Sequence, residues 1–130
     1  MILFLDDNPA DHARNAVSAA VAIQKRTALI NASQRKGQDP VVVNMGINSG
    51  TAAVGSTRFS GIAGDRWTYT ASGPVTNIAA RICGIADKGS ILVTEDTAAL
   101  LDQRFAMGDP SPQTLKNVST PVLVRQIQID

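Results

Sequence analysis

Aromatic side chains are scarce in this 130-residue chain, at 4%, so its core must be built mostly from Val, Ile, Leu and Ala. Cysteine occurs once, as Cys83, which excludes an internal disulfide and reads as a cytoplasmic chain. Histidine also occurs once, as His12, so a His/Cys metal cluster has no ligand set to draw on. Charged residues reach only 18% and leave a net charge of +1. Neither a long basic run nor interleaved aromatics are present, which argues against nucleic acid as a partner. No apolar run approaches the roughly 20 residues that span a bilayer. The start, Met1-Ile2-Leu3-Phe4-Leu5-Asp6-Asp7, lacks the basic flank and length of a signal peptide.

Hydrophobic residues make up 44% of the chain, enough for a core, and the length suits one domain over residues 1–130. Met1 to Leu5 reads as a short buried strand. Asn8 and Pro9 then supply an N-cap and a first helical position, with Asp11 in the first turn. Ala13, Ala16, Ala20, Ile23 and Ile30 form one apolar stripe of a long helix that Gly37 and Pro40 end. Val41 to Asn48 alternates as a strand, Ser49-Gly50 turns, and Thr51 to Val54 reads as the return strand of a hairpin. Gly55 to Asp65 is rich in Gly and Ser and reads as an exposed loop, followed by a short strand over Trp67 to Ala71.

Ser72-Gly73-Pro74 opens a second helix with a stripe of Val75, Ile78, Ala79, Ile82, Ile85 and Ala86, stopped by Gly89. Ser90 to Val93 is a strand, and Thr94 caps a short third helix whose first turn holds Glu95 and Asp96. Phe105 to Met107 reads as a strand, Asp109 to Gln113 as a loop, and Val122 to Ile129 as a closing strand. This order predicts an α/β sandwich with its helices on one face of a mostly antiparallel sheet.

The run Tyr69-Thr70-Ala71-Ser72-Gly73-Pro74-Val75-Thr76-Asn77-Ile78-Ala79-Ala80-Arg81-Ile82 resembles the pattern "Y-T-V-I-G-D-x-V-N-L-A-A-R-L" of class III adenylyl/guanylyl cyclase catalytic domains. Val43 to Gly50 is similar to the family's "R-I-G-I-H-T-G" strand and turn, Gly89 to Thr94 to "G-x-I-L-V-S", and Leu115-Lys116-Asn117-Val118 with Pro121-Val122 to "L-K-G-…-P-V". The resemblance implies a ferredoxin-like α+β nucleotide cyclase fold, incomplete at the N-terminus. It also implies a head-to-tail dimer and the conversion of ATP or GTP to a 3′,5′-cyclic nucleotide and pyrophosphate.

The resemblance implies roles for four residues. Asn77 and Arg81 are the catalytic pair, Asn77 orienting the ribose and Arg81 stabilising the phosphoryl oxygens. Lys116 binds the triphosphate, and Thr70 occupies the position that helps read the purine, where Thr points to ATP. The side-chain chemistry suits those roles. Residues four apart share one helix face, and a guanidinium matches the oxygens of a phosphate. Taken alone, an Asn and an Arg on a helix are usually its solvated face, and Lys116 usually a surface lysine.

The family also uses two Mg²⁺ or Mn²⁺ ions held by two aspartates, and those motifs are absent from this sequence. Asp6 and Asp7 lie at the far end of the first strand and read as helix-entry charge, not as metal ligands. Pro74 stands where the family usually has Asp or Glu. The chain alone is therefore expected to be inactive: a fragment of a cyclase domain, or alternatively a non-catalytic dimerisation or nucleotide-binding signalling module. Loss of the leading strands exposes backbone edges, so a homodimer or strand-exchanged oligomer is expected.

Overall fold

The computed structural model describes residues 1–129, and the side chains of all of these except Thr57, Thr68, Tyr69 and Thr70. Helix α1 (Pro9–Ala32) begins where expected: the Asn8 side chain accepts from the Ala10 amide at 3.0 Å, and Pro9 starts the helix. The chain then forms β1 (Met45–Ile47), β2 (Ala53–Gly61), β3 (Gly64–Ser72), α2 (Pro74–Ile85), β4 (Ile91–Thr94), α3 (Glu95–Ala98), β5 (Ser111–Gln113) and β6 (Val122–Gln126). Four strands make one sheet in the order β1-β4-β6-β5, and β2 and β3 make a separate two-stranded sheet. β1 runs parallel to β4, and the β4–β6 and β5–β6 pairs are antiparallel.

The helices lie on both faces of the four-stranded sheet, not on one. Ile91 and Val93 of β4 pack with Val17 and Ala20 of α1. The intervening Leu92 points the other way, as strand alternation requires, and joins Ile82 of α2, Val124 and Leu115. Between them, the two clusters hold the largest fully buried side chains, including Ile82, Ile91, Val17 and Val93.

Several expected elements end elsewhere. Met1 to Leu5 belongs to no strand, and Met1, Ile2 and Leu5 are exposed. Val41 and Val43 are not in a strand because α1 takes their backbone groups. Asn31 donates to the Val41 carbonyl and accepts from its amide, each at 2.8 Å, and Gln24 donates to the Val43 carbonyl at 2.6 Å. α1 stops at Ala32, ahead of Gly37, and its buried stripe runs through Ala13, Val17, Ala20 and Thr27, leaving Ile23 and Ile30 exposed.

The predicted hairpin with β1 does not form. Asn48 donates to the Val75 carbonyl at 3.1 Å and accepts from the Thr94 hydroxyl at 2.6 Å, and Ser49 bonds Thr97 at 2.8 Å. These contacts carry the chain across the sheet toward α2 and α3 instead of back along β1. The Gly/Ser-rich stretch read as a loop is β2, paired with β3 from Ala53↔Ser72 to Gly61↔Gly64. Trp67 of β3 is exposed.

α2 ends at Ile85, which is exposed; Gly89 (φ +77°) sits beyond it in the turn into β4. Phe105 to Met107 contributes a single bridge, Met107↔Ile127. The proline-containing stretch Ser111–Gln113 is the edge strand β5, a position that tolerates a missing donor.

Candidate functional site

α2 leaves β3 through Gly73 (φ +118°), a backbone conformation that favours glycine. Pro74 fills the first helical position, where no amide is needed. The Thr76 hydroxyl donates to the Gly73 carbonyl at 3.0 Å, and the Asn77 amide does so at 3.1 Å, closing the first turn. Ile82 is fully buried against Leu115 and Val124, with Ile78 partly buried beside it. This anchoring fixes which face of the helix meets solvent.

Asn77 and Arg81 are on that solvent face, one turn apart and both exposed. Among the described residues neither side chain has a hydrogen-bond or ion-pair partner. Lys116 lies nearby in the chain's architecture. It sits in the turn closed by the Val118 amide on the Leu115 carbonyl at 3.2 Å, with Asn117 at φ +62°. Leu115 and Val118 belong to the same cluster as Ile78 and Ile82, so the turn carrying Lys116 is packed against α2. The backbone of Thr70 is in β3 opposite Gly55, two residues before that strand ends; its side chain lies outside the described residues. Asn77, Arg81 and Lys116 thus come from adjoining elements. They offer an amide and two exposed cations to an anionic ligand.

A cavity lies elsewhere. A mostly apolar cleft of about 700 Å³ is lined by Ala79 and Cys83 of α2, by Ala16 and Ala20 of α1, and by residues 1–6 and 44–52. At 100° per residue, positions 79 and 83 are on the side of α2 opposite 77 and 81. The motifs of the sequence do not point to this cleft. Its signal is the continuous apolar run of Met1 to Leu5 beside small side chains on both helices.

The fitness of the chain for the family's metals is a matter of its donors. Among the described residues no group of three His, Cys, Asp or Glu side chains stands close enough to hold a metal ion. Asp6 accepts from Asn15 of α1 at 3.2 Å, which ties it to the helix entry. The described residues do not fit a two-metal site.

One charged pair is structural. Arg125 of β6 grips Glu95 at the start of α3 with two of its three nitrogens, Nε to Oε2 at 2.8 Å and Nη2 to Oε1 at 3.2 Å. The hydrogen bonds from Arg125 hold the Glu95 carboxyl below its ordinary pKa, and Glu95 in turn raises that of Arg125.

Comparison with known proteins gives a consistent picture. Residues 1–123 match the adenylate and guanylate cyclase catalytic domain. Adenylate cyclase 1 of Rhizobium meliloti (strain 1021) is 37% identical over 75 residues, which are 57% of this chain and 11% of that protein. The crystal structure of the adenylyl cyclase CyaB from P. aeruginosa is similar with a TM-score of 0.82 and 27% identity, covering 95% of this chain and 62% of that one. The guanylate cyclase domain of RhGC from Catenaria anguillulae, solved in complex with GTP, shares the fold with a TM-score of 0.72 at 20% identity, over 92% of this chain and 60% of that one. The chain spans less than two thirds of each of these relatives. Among the described residues no helix is long and apolar enough to cross a membrane. With the family matched over residues 1–123, the chain belongs to the adenylate and guanylate cyclase catalytic domain family.

Proposed function

We propose that these 130 residues are the ribose- and phosphate-facing part of a nucleotide cyclase domain, with ATP as the preferred substrate, in cytoplasmic signalling. The observation that carries this reading is the exposure of Asn77 and Arg81, side by side and unpartnered among the described residues, on a helix whose other face is anchored by Ile82. An exposed, unpaired guanidinium and amide on a fixed support are preorganised for a ligand brought from outside the chain.

In the reaction the ribose 3′-hydroxyl attacks the α-phosphate of the nucleoside triphosphate. A new P–O bond forms as the bond to the pyrophosphate leaving group breaks, and the hydroxyl proton is lost. Asn77 holds the ribose by hydrogen bonding, and Arg81 stabilises the negative charge that builds on the phosphoryl oxygens. Lys116 adds a point charge to the triphosphate, and Thr70 contacts the purine edge. The preference for ATP rests on Thr70; both adenylyl cyclases and a guanylate cyclase domain solved with GTP are among the relatives. A complete site needs acidic metal ligands from a further segment or subunit, so the domain works as an assembly and the isolated chain does not turn over.

The experiment is incubation of the purified chain with ATP or GTP and manganese, with cyclic nucleotide as the readout. No product is expected, and robust turnover overturns the reading. A second reading, a nucleotide-binding module without catalysis, is favoured by the lack of a metal-ligand cluster among the described residues. Tight ATP binding that is independent of metal, measured by titration of the same sample, would favour it over the first.

A further inference from the structure

β1 and β4 are the parallel pair of the sheet, and their register, Ile47↔Val93, sets Asn48 opposite Thr94 just past the end of β1. A row of polar groups meets there. Asn48 Nδ2 stands 3.1 Å from the Val75 carbonyl of α2, and Asn48 Oδ1 stands 2.6 Å from the Thr94 hydroxyl. Thr94 Oγ1 is 3.3 Å from Thr97 Oγ1, which is 2.8 Å from Ser49 Oγ. Thr94 and Thr97 are buried, so their hydroxyls must find partners within the protein.

The protons give this row a direction. The Val75 carbonyl can only accept, so the nitrogen of the Asn48 amide faces it and the oxygen faces Thr94. A hydroxyl has one proton to give. Thr94 gives its proton to Asn48, so Thr97 is the donor between the two threonines, and Ser49 is the donor to Thr97. One order fills every contact: Ser49 to Thr97 to Thr94 to Asn48 to Val75. Hydrogen bonds aligned head to tail strengthen one another. The Asn48 amide is locked, because turned over it would set its oxygen against the carbonyl oxygen of Val75.

The row ends on the first turn of α2. Val75 is held there twice, at its carbonyl by Asn48 and at its side chain by Gly50, where a Cβ would lie 2.9 Å from Val75 Cγ2. Gly73, the residue before the helix, supplies no side-chain cap, so this turn depends on contacts from outside to keep its place. Asn77 stands two residues beyond Val75, its amide bonded to the Gly73 carbonyl at 3.1 Å.

We propose that Asn48 is a positioning residue for Asn77. Its amide, set by the Thr94 hydroxyl, fixes the first turn of α2 against the ends of β1 and β4, and with it the point at which the Asn77 side chain leaves the helix. The inference rests on the reading of Asn77 as the group that orients the ribose. A displacement of about 1 Å at such a group costs up to about 10² in rate.

The first measurement is amide exchange by NMR on the 130-residue chain. Asn48→Ala should speed exchange at Asn77 and Ile78 about tenfold, with Ile82 and Cys83 unchanged. Thr94→Val, which removes the orienting hydroxyl, should do the same, and Thr94→Ser, which keeps it, should retain the parent rates. If Thr94→Val does not fold, Asn48→Ala carries the comparison. Parent rates at Asn77 and Ile78 in Asn48→Ala overturn the proposal.

The second is a double-mutant cycle on kcat in a catalytically competent assembly that contains this chain. Asn48→Ala should lower kcat about tenfold, change KM by less than about threefold, and lower kcat no further once Asn77→Ala is present. A loss that recurs in full beside Asn77→Ala marks a general weakening of the fold and overturns the proposal. If Asn77→Ala lowers kcat and Asn48→Ala does not, the positioning role alone fails. If Asn77→Ala leaves kcat unchanged, the catalytic reading of Asn77 fails and takes the proposal with it.

Discussion

Gly46 and Cys83 hold β1 and α2 together at backbone contact. A Cβ on Gly46 would lie 2.4 Å from the Cys83 nitrogen, 2.7 Å from the Ala79 carbonyl oxygen and 2.7 Å from Ile82 Cγ1. Two of those three atoms are backbone, so a rotamer change cannot relieve the clash. Gly46→Ala must push the helix outward and loosen Ile82, at a cost of at least about 1–3 kcal/mol. Thermal unfolding followed by circular dichroism should show a midpoint lowered by several degrees. An unchanged midpoint would contradict the close approach.

The clasp between Arg125 and Glu95 sets a pH dependence. Hydrogen bonding from Arg125 lowers the Glu95 pKa on folding. A depressed carboxyl contributes stability that is present above its unfolded pKa and lost as the pH falls through its folded one. Arg125→Met should therefore be less stable than the parent at neutral pH, by the small amount typical of a partly exposed pair. The gap should close in acid. Urea unfolding of both proteins at about pH 7 and about pH 3 tests this; a gap of constant size would show that Arg125 acts through packing instead.

Asn77→Ala and Arg81→Ala should separate stability from activity. Both side chains are exposed and unpartnered among the described residues, so each change is expected to move the unfolding free energy by less than about 0.5 kcal/mol. In a catalytically competent assembly that contains this chain, each should lower kcat by about 10²–10³ for a lost transition-state donor. Loss of stability comparable to that of Gly46→Ala would place these residues in the core rather than at a site.

What was legible in the sequence is local and periodic. Asn8 and Thr94 are read as caps and act as caps, with Thr94 accepting from the Thr97 amide at 3.3 Å. The apolar spacing of α2 predicts its buried Ile82, and with it the exposed face of Asn77 and Arg81. What was not legible depends on partners distant in sequence. Val41 and Val43 have strand propensity, but Asn31 and Gln24 of α1 satisfy their backbone before a strand can. β2 is hidden because glycine and serine signal a turn, whereas here the register with β3 makes the strand. Met1 to Leu5 reads as a buried strand because it is apolar, yet among the described residues no strand pairs with it and Met1, Ile2 and Leu5 are exposed.

α2 is the common wall of two different places. Ala79 and Cys83 line the cleft beside β1, and Asn77 and Arg81, interleaved with them, stand on the reverse side. Because a Cβ on Gly46 would overlap the backbone of Ala79 and Cys83, β1 and α2 meet with no side chain between them. The helix that carries Asn77 and Arg81 is thereby held at a distance from the sheet set by a residue with no side chain of its own.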